Sequence, residues 1–420
     1  MLPSEEVQDR ILLAFAIGAA GFIQISIAVS QILLGTGILL LLVFRQKLPF
    51  PRIWIPLAGL VFWTALVDVI SPDPWLGRAQ IKKFFVFLFI PLIYAVFARQ
   101  FEKIYYLMTA WTAGATASGL LAIFQFVRSA HASYISYVGK RITGFESHWM
   151  TFGALQLSVL LLLLAQWFFS NRRMPLWTYT SVAILGTAIV LGGTRSIWVA
   201  AIPALLYLIW LWRPRMILAI PVLAILAFLL APHNVKERAL SFTHPQEDVD
   251  SNRHRVVTFR TGIEMIKAHP WFGLGPEEIG RKFEAYVPKD IRRPLPVGYY
   301  GHLHNIYLQY AAERGIPGLL FVLWFIGMAL YDCVRGVIAI TRRGRSQELF
   351  ILQGAVAVTI GVLVSGFWEY NLGDSEVLMM FVTVIALAYT ALESIGPLDA
   401  QSAHSFKVRR LRFAVHNRSL

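Results

Sequence analysis

Residues 11–44 read ILLAFAIGAAGFIQISIAVSQILLGTGILLLLVF, an apolar run without a single charge. A helix rises about 1.5 Å per residue, so the run far exceeds one crossing of a hydrocarbon layer about 30 Å thick. Gly18, Gly21, Gln24 and Ser26 offer a break. The pattern predicts two helices, roughly 11–25 and 28–44. The choice decides the topology, because one helix instead of two reverses the side of every later loop.

The loop charges discriminate. With the N-terminus inside and two helices in 11–44, Arg45, Lys47 and Arg52 fall inside. So do Arg99 and Lys103, Arg172 and Arg173, Arg213 and Arg215, then Arg342, Arg343 and Arg345. The tail cluster of Lys407, Arg409, Arg410 and Arg412 joins them. All compact basic clusters then share one side, as the positive-inside rule requires. A single helix would place them outside.

Working outward, further apolar spans are predicted near 53–70, 81–98, 104–127, 149–169, 176–192, 196–212 and 215–231. Three more follow near 316–334, 350–369 and 376–394. The expected fold is an all-α polytopic membrane protein of about twelve transmembrane helices. Nine helices lie in 1–231, a large outer segment in 232–315, three helices in 316–394, and a basic inner tail in 395–420. Composition agrees: 57% of the residues are hydrophobic, 15% are charged, and the mean hydropathy is +0.59. The net charge of +14 does not point to nucleic acid, because the cations sit in short clusters between apolar runs. The lone Cys333 allows no intrachain disulfide and no cysteine metal site. Residues 1–10 lack a positive n-region, so no removable signal peptide is expected.

Within 232–303, Val256, Phe259, Ile263 and Ile266 recur at helical spacing, which predicts an amphipathic helix. His269-Pro270 ends it, and Gly273-Leu274-Gly275-Pro276 makes a turn. Arg195, beside a Gly-Gly turn, Arg141 and Arg255 are basic residues on the outer side, against the general trend. Arginines converging on one site suit an anion, phosphate above all, because the guanidinium stays charged and its fork matches phosphate oxygens. Snorkelling to headgroups is the simpler alternative. His302 and His304 lie at the end of the polar segment, where a proton-handling pair and a structural His-x-His are both open. Tyr299 and Tyr300 could stack on sugar rings. Trp368 and Glu369 could line a site or pack helices. The acidic Glu247-Asp248-Val249-Asp250 reads as a solvated loop rather than a metal site. No P-loop, dinucleotide fingerprint or nucleophile elbow occurs.

Several of these residues carry a resemblance. Thr194-Arg195-Ser196 is similar to a Thr/Ser-Arg element. Arg255, Phe259 and His269-Pro270-Trp271-Phe272-Gly273-Leu274-Gly275 resemble an Arg-x3-aromatic helix ending in His-Pro-x-x-Gly-x-Gly. His302-Leu303-His304-Asn305-Ile306-Tyr307-Leu308-Gln309 with Gly315-Ile316-Pro317-Gly318 resembles His-x-His-Asn-x-x-Leu-Gln and Gly-Ile-Pro-Gly. These belong to the O-antigen ligase and polymerase superfamily of bacterial inner membranes. Phe259 stands where tryptophan is common, and Leu303 replaces the usual small polar residue.

The resemblance implies a metal-independent, ATP-independent, inverting glycosyltransferase of C-type architecture with its active site on the periplasmic side and no cofactor. The donor would be a glycan on undecaprenyl diphosphate, drawn from among the membrane lipids. A ligase delivering O-antigen to lipid A-core fits the chain length and single large outer loop. A polymerase using the same donor is the close rival. Arg195, Arg255 and Arg141 would hold the diphosphate, and His304, with His302 beside it, would take the acceptor proton. A transporter of anions or solutes is the alternative from another class, but it would favour paired repeats and midplane charges.

Overall fold

The computed structural model describes residues 3–396 apart from 49, 130–132, 245–251 and 342–343. The acidic stretch 247–250, Arg342, Arg343 and the tail 397–420 lie outside the described residues. Those described form an all-helical chain without a strand. The first half comprises α1 (Glu5–Gly21), α2 (Ile27–Val43), α3 (Trp54–Ile70), α4 (Pro74–Lys83), α5 (Phe89–Phe97), α6 (Ile104–Arg128), α7 (Tyr134–Gly139), α8 (Trp149–Phe169) and α9 (Leu176–Leu191). The second half comprises α10 (Arg195–Trp212), α11 (Ala219–Leu230), α12 (His233–Leu240), α13 (Asn252–Ala268), α14 (Ile279–Tyr286), α15 (Ile306–Thr341), α16 (Gln347–Ser365) and α17 (Ser375–Ile395).

The 11–44 stretch is two helices. A 3-10 turn over Phe22–Gln24 follows α1, and the Ser26 hydroxyl accepts from the Val29 N–H at 3.4 Å to cap α2. The two helices then pack against each other. Seven helical runs are long and apolar enough to cross a membrane: Pro74–Phe97, Phe101–Arg128, Trp149–Phe169, Arg195–Trp212, Ile306–Thr341, Gln347–Ser365 and Ser375–Ile395. Ile27–Val43, Trp54–Ile70, Leu176–Leu191 and Pro214–Leu230 are shorter apolar helices at predicted spans. The chain is therefore a multi-pass membrane protein. Seven spans are supported by length and composition; twelve remains the count expected from the sequence.

At the centre, α8 and α16 pack against each other and are buried along nearly their whole length. Small residues allow the close approach: a Cβ at Gly354 would stand 2.8 Å from Leu162 Cδ2. α10 covers α16, and α17 bridges α16 to α5. By contrast, α11 buries none of its residues and rests chiefly on the 3-10 turn Pro214–Leu218 before it. An apolar helix with no core face is suited to a lipid environment.

Two expectations are corrected, one by a helix cap and one by packing. The predicted helix at 81–98 begins earlier, at Pro74. Asp73 accepts from the Trp75 N–H at 3.1 Å and Pro74 occupies the first turn, where its missing donor costs nothing. The predicted amphipathic helix exists as α13, but its apolar stripe is only partly turned inward: Ile263 and Ile266 are half-buried, and Ile266 packs on the cluster around Leu303. Val256 and Phe259 are exposed, whereas Val257, Thr258, Thr261, Gly262 and Met265 are buried. The close approach of α13 to α15 explains this. A Cβ at Gly262 would lie 2.9 Å from Leu303 Cδ1, so the small face goes inward.

The predicted boundary at 315–316 falls inside α15. Asn305 starts the helix ten residues earlier, its Oδ1 accepting from the Leu308 N–H at 2.9 Å. The helix breaks at Gly315, with φ 68° and ψ 177°. Pro317 lies in the first turn after that break, where it displaces no helical hydrogen bond. The turn after α13 docks on this break: the N–H groups of Leu274, Gly275 and Ile316 donate to Ala312 O, Glu313 O and Pro270 O at 2.8, 3.0 and 2.7 Å.

Gly315→Ala is expected to destabilise the protein by at least about 2 kcal/mol, from left-handed strain plus a clash. Its Cβ would lie 1.9 Å from Trp271 O, whereas a Cβ at Gly327 meets nothing within 4 Å. Thermal unfolding in detergent of Gly315→Ala beside Gly327→Ala checks this; equal melting of the two would refute it.

Candidate active site

Beyond the docked turn, residues 296–305 carry the histidines. Leu303, the departure from the family pattern, is 1% exposed and packs in an apolar cluster with Val257, Met265, Ile279 and Phe283. Its N–H donates to Gln309 Oε1 at 2.8 Å, and Gln309 Nε2 donates to Glu313 at 2.8 Å. Glu313 in turn pairs with Arg314 at 2.6 Å. Leucine between the histidines therefore anchors the loop, and the side chains on either side are left to the cavity. His304 adopts φ 50°, a left-handed conformation that histidine tolerates better than most residues.

His302 and His304 line a cavity of about 350 Å³ together with His148, Tyr299, Glu369, Tyr370 and Asp374. The two rings lie 4.1 Å apart between centroids. Their tautomers follow from their partners. His304 Nε2 stands 3.1 Å from the Tyr299 carbonyl, which can only accept, so Nε2 carries the proton. The neutral ring then has its lone pair on Nδ1. His302 Nδ1 accepts from the His304 N–H at 3.3 Å, which puts the His302 proton on Nε2. The pair is thus unlike: His304 retains an uncommitted basic nitrogen, and His302 offers an N–H.

Burial pushes the His302 pKa down to about 4, helped by His148, His254 and Lys83. Burial likewise pushes His304 down to about 3, with contributions from His302, His254 and Arg255, against the Tyr299 carbonyl. Both are neutral at pH 7.

The sequence did not single out His254. It is buried, its Nε2 lies 3.0 Å from the same Tyr299 carbonyl, and its ring is 5.0 Å from that of His304. One carbonyl thus aligns two imidazoles. His148 and Asp374 were also missed. Each sits just before a helix, where its side chain reads as a local cap, and only the fold brings the two together. Asp374 accepts from Thr151 at 2.9 Å.

The three arginines do not line the cavity. Arg255 stands just behind its wall, 2.9 Å from Glu369 Oε1, and Glu369 also accepts from Ser196 at 2.7 Å. Arg141 lies over the Trp149 ring, 4.4 Å from its centroid. Burial lowers its pKa, with Arg238 and Arg255 adding to the effect and Glu369 opposing it. Arg141, Arg238, Arg255 and Glu369 are therefore one electrostatic cluster. Arg195 is buried further back, donating to Ser241 O at 3.0 Å and to Asn252 Oδ1 at 2.5 Å, so it ties α10 to α12 and α13. Tyr299 reaches the cavity and is exposed. Tyr300 turns away: its hydroxyl donates to Pro296 O at 2.6 Å and its ring packs on Phe283. Among the described residues no group of three or more His, Cys, Asp or Glu is placed to hold a metal ion.

Removing Arg255 strands a buried carboxylate, so Arg255→Ala should cost about 3 kcal/mol of stability. The double variant Arg255→Ala/Glu369→Ala should recover part of that loss. Denaturant or thermal unfolding of the four-member cycle measures it, and additive losses would contradict the pairing.

No curated protein matches the chain. The O-antigen ligase family model matches residues 180–323, a stretch holding Arg195, Arg255, the docked turn and the histidine loop. That match supports a lipid-linked glycan transferase in general and makes residues 180–323 similar to the O-antigen ligase superfamily.

Proposed function

We propose that the chain is the ligase of this superfamily, moving O-antigen from undecaprenyl diphosphate to a sugar hydroxyl of lipid A-core on the periplasmic side of the inner membrane. The observation that carries this reading is the unlike histidine pair in a cavity backed by arginines. The acceptor hydroxyl sits against His304 Nδ1 and attacks the anomeric carbon; undecaprenyl diphosphate departs from the opposite face, so the centre inverts. A base of low pKa suffices, because the hydroxyl becomes strongly acidic once its oxygen bonds to carbon. His302 Nε2–H donates to a sugar or phosphate oxygen. Arg255, Arg141 and Arg195 supply the positive field for the leaving diphosphate, which strengthens as charge develops on it. Arg255 reaches that anion most directly, by exchanging Glu369 for a phosphate oxygen. Tyr299 offers a ring face to the glycan.

The activated donor provides the driving force. Purified protein, lipid-linked glycan and lipid A-core are expected to give product without nucleotide and in EDTA; an absolute metal requirement would overturn the mechanism. Deleting the gene should leave polymerised glycan on its carrier and none on the core, whereas single repeat units would identify a polymerase. His304→Ala should lower kcat by about 10²–10⁴-fold, and His302→Ala by less.

The pH dependence follows from the depressed histidines. The base stays unprotonated as pH falls below 6.5, so kcat/KM should hold well into the acid range and fail only towards pH 4. A bound dianion favours the protonated ring. The acid limb of kcat should therefore lie at higher pH than that of kcat/KM. Coincident limbs near 6.5 would contradict the assignment.

A further inference from the structure

A second cavity, of about 420 Å³, lies at the opposite end of the bundle from the histidines. Four arginines line it: Arg172 and Arg173 from the α8–α9 connection, Arg213 after α10, and Arg345 before α16. Topology signals require only that cations lie on one side, not that they meet. Here three connections far apart in sequence bring them to one concavity. Among the described residues none of the four is ion-paired to an Asp or Glu, and no carboxylate lines the cavity. Cations that share one concavity repel one another, and a bound anion would relieve that repulsion.

The walls are built rather than loose. The Phe168 ring stacks on Trp212 at 4.1 Å, nearly parallel, and Trp167 meets Tyr179 edge-on at 5.0 Å. Buried Ser170 is 3.0 Å from the Tyr105 hydroxyl and accepts from the Arg172 N–H at 3.1 Å. The Ser346 N–H donates to Phe169 O at 3.2 Å, joining the Arg345 connection to the end of α8. Aromatic faces hold two of the cations: Arg172 over Tyr105 at 4.6 Å and Arg213 over Trp212 at 4.9 Å. Guanidinium forks set among indole rings at a helix end match a phosphate ester at a membrane boundary, where the rings take the headgroup level and the forks take the oxygens.

We propose that this cavity is a binding site for a phosphate-bearing anion, separate from the histidine cavity, whose chemistry fits an anionic phospholipid headgroup. The source is resolved by titration calorimetry on the full chain in detergent, with three probes: short-chain phosphatidylglycerol, short-chain phosphatidylcholine and inorganic phosphate. Phosphatidylglycerol is expected to bind saturably and phosphatidylcholine weakly. Replacing all four arginines by glutamine should weaken phosphatidylglycerol binding by about tenfold or more. Because removing four basic residues can disturb insertion, the pair Arg213→Gln/Arg345→Gln, which leaves Arg172 and Arg173, provides a second reading and should weaken it at least about threefold. Arg45→Gln/Lys47→Gln, basic positions that do not line the cavity, should change nothing. Binding of inorganic phosphate alone, lost in the same variants, would sustain the anion site with a soluble source. Equal binding of phosphatidylcholine, no binding of any probe, or binding unchanged in the pair variant would overturn the proposal.

Discussion

The constraint on which the site depends is the satisfaction of backbone groups where helices break at a membrane boundary. A break frees N–H and C=O groups that hydrocarbon cannot satisfy. At Gly315 the released groups are met by the turn after α13, through the bonds from Leu274, Gly275 and Ile316. That pairing holds α13 and α14 against the bundle. It also sets the floor on which Leu303 is seated, and Leu303 fixes the spacing of the two imidazoles. At the other end of the histidine loop, Asn305 Nδ2 donates to Phe367 O at 3.0 Å, and the Ile306 N–H donates to Gly366 O at 2.9 Å. The loop is clamped on both sides, by backbone from two different parts of the chain.

Much of the bundle was legible because hydrophobic period and loop charge are local signals. The two-helix reading of 11–44 drew on its length, on Gly18–Ser26 and on the loop charges, and Ser26 turns out to be the cap of the second helix. Boundaries were misplaced where a cap outranked hydropathy, at Asp73-Pro74 and at Asn305, since both begin helices among residues too polar to read as a span. The orientation of α13 was not legible. Val256 and Phe259 advertise an apolar stripe, but the nearest partner is a loop that only a face of Gly and Thr can approach. Hydropathy states what a residue prefers, and shape decided which face could come close.

At the candidate site, the sequence named the histidines and the arginines but not the relation between them. The arginines were expected at the cavity; the fold sets Arg255 one side chain back, behind Glu369, and uses Arg195 as a tie between helices. Glu369 lies 114 residues from Arg255, a separation no local pattern reports. His254 was hidden for a similar reason, because its significance rests on sharing the Tyr299 carbonyl with His304. Leu303 departs from the family's usual small polar residue, yet it is the anchor that orients both histidines.

The electrostatics give this arrangement a logic of its own. Burial is what chiefly depresses the histidines, and the neighbouring cations add to it: Arg255 at His304, Lys83 at His302 and Arg141 at His148. The arginines proposed to attract an anion therefore reinforce burial in keeping the imidazoles neutral. Glu369 moderates this field, since its carboxylate partly neutralises Arg255 behind the cavity wall. On the proposed reading an incoming diphosphate competes for Arg255 and replaces one buried counterion with another. The charge behind the wall stays compensated throughout, and the potential felt at His304 turns more negative as the donor arrives. The proton affinity of the base then rises in the occupied site and stays low in the empty one, so a single set of arginines serves both the leaving group and the base.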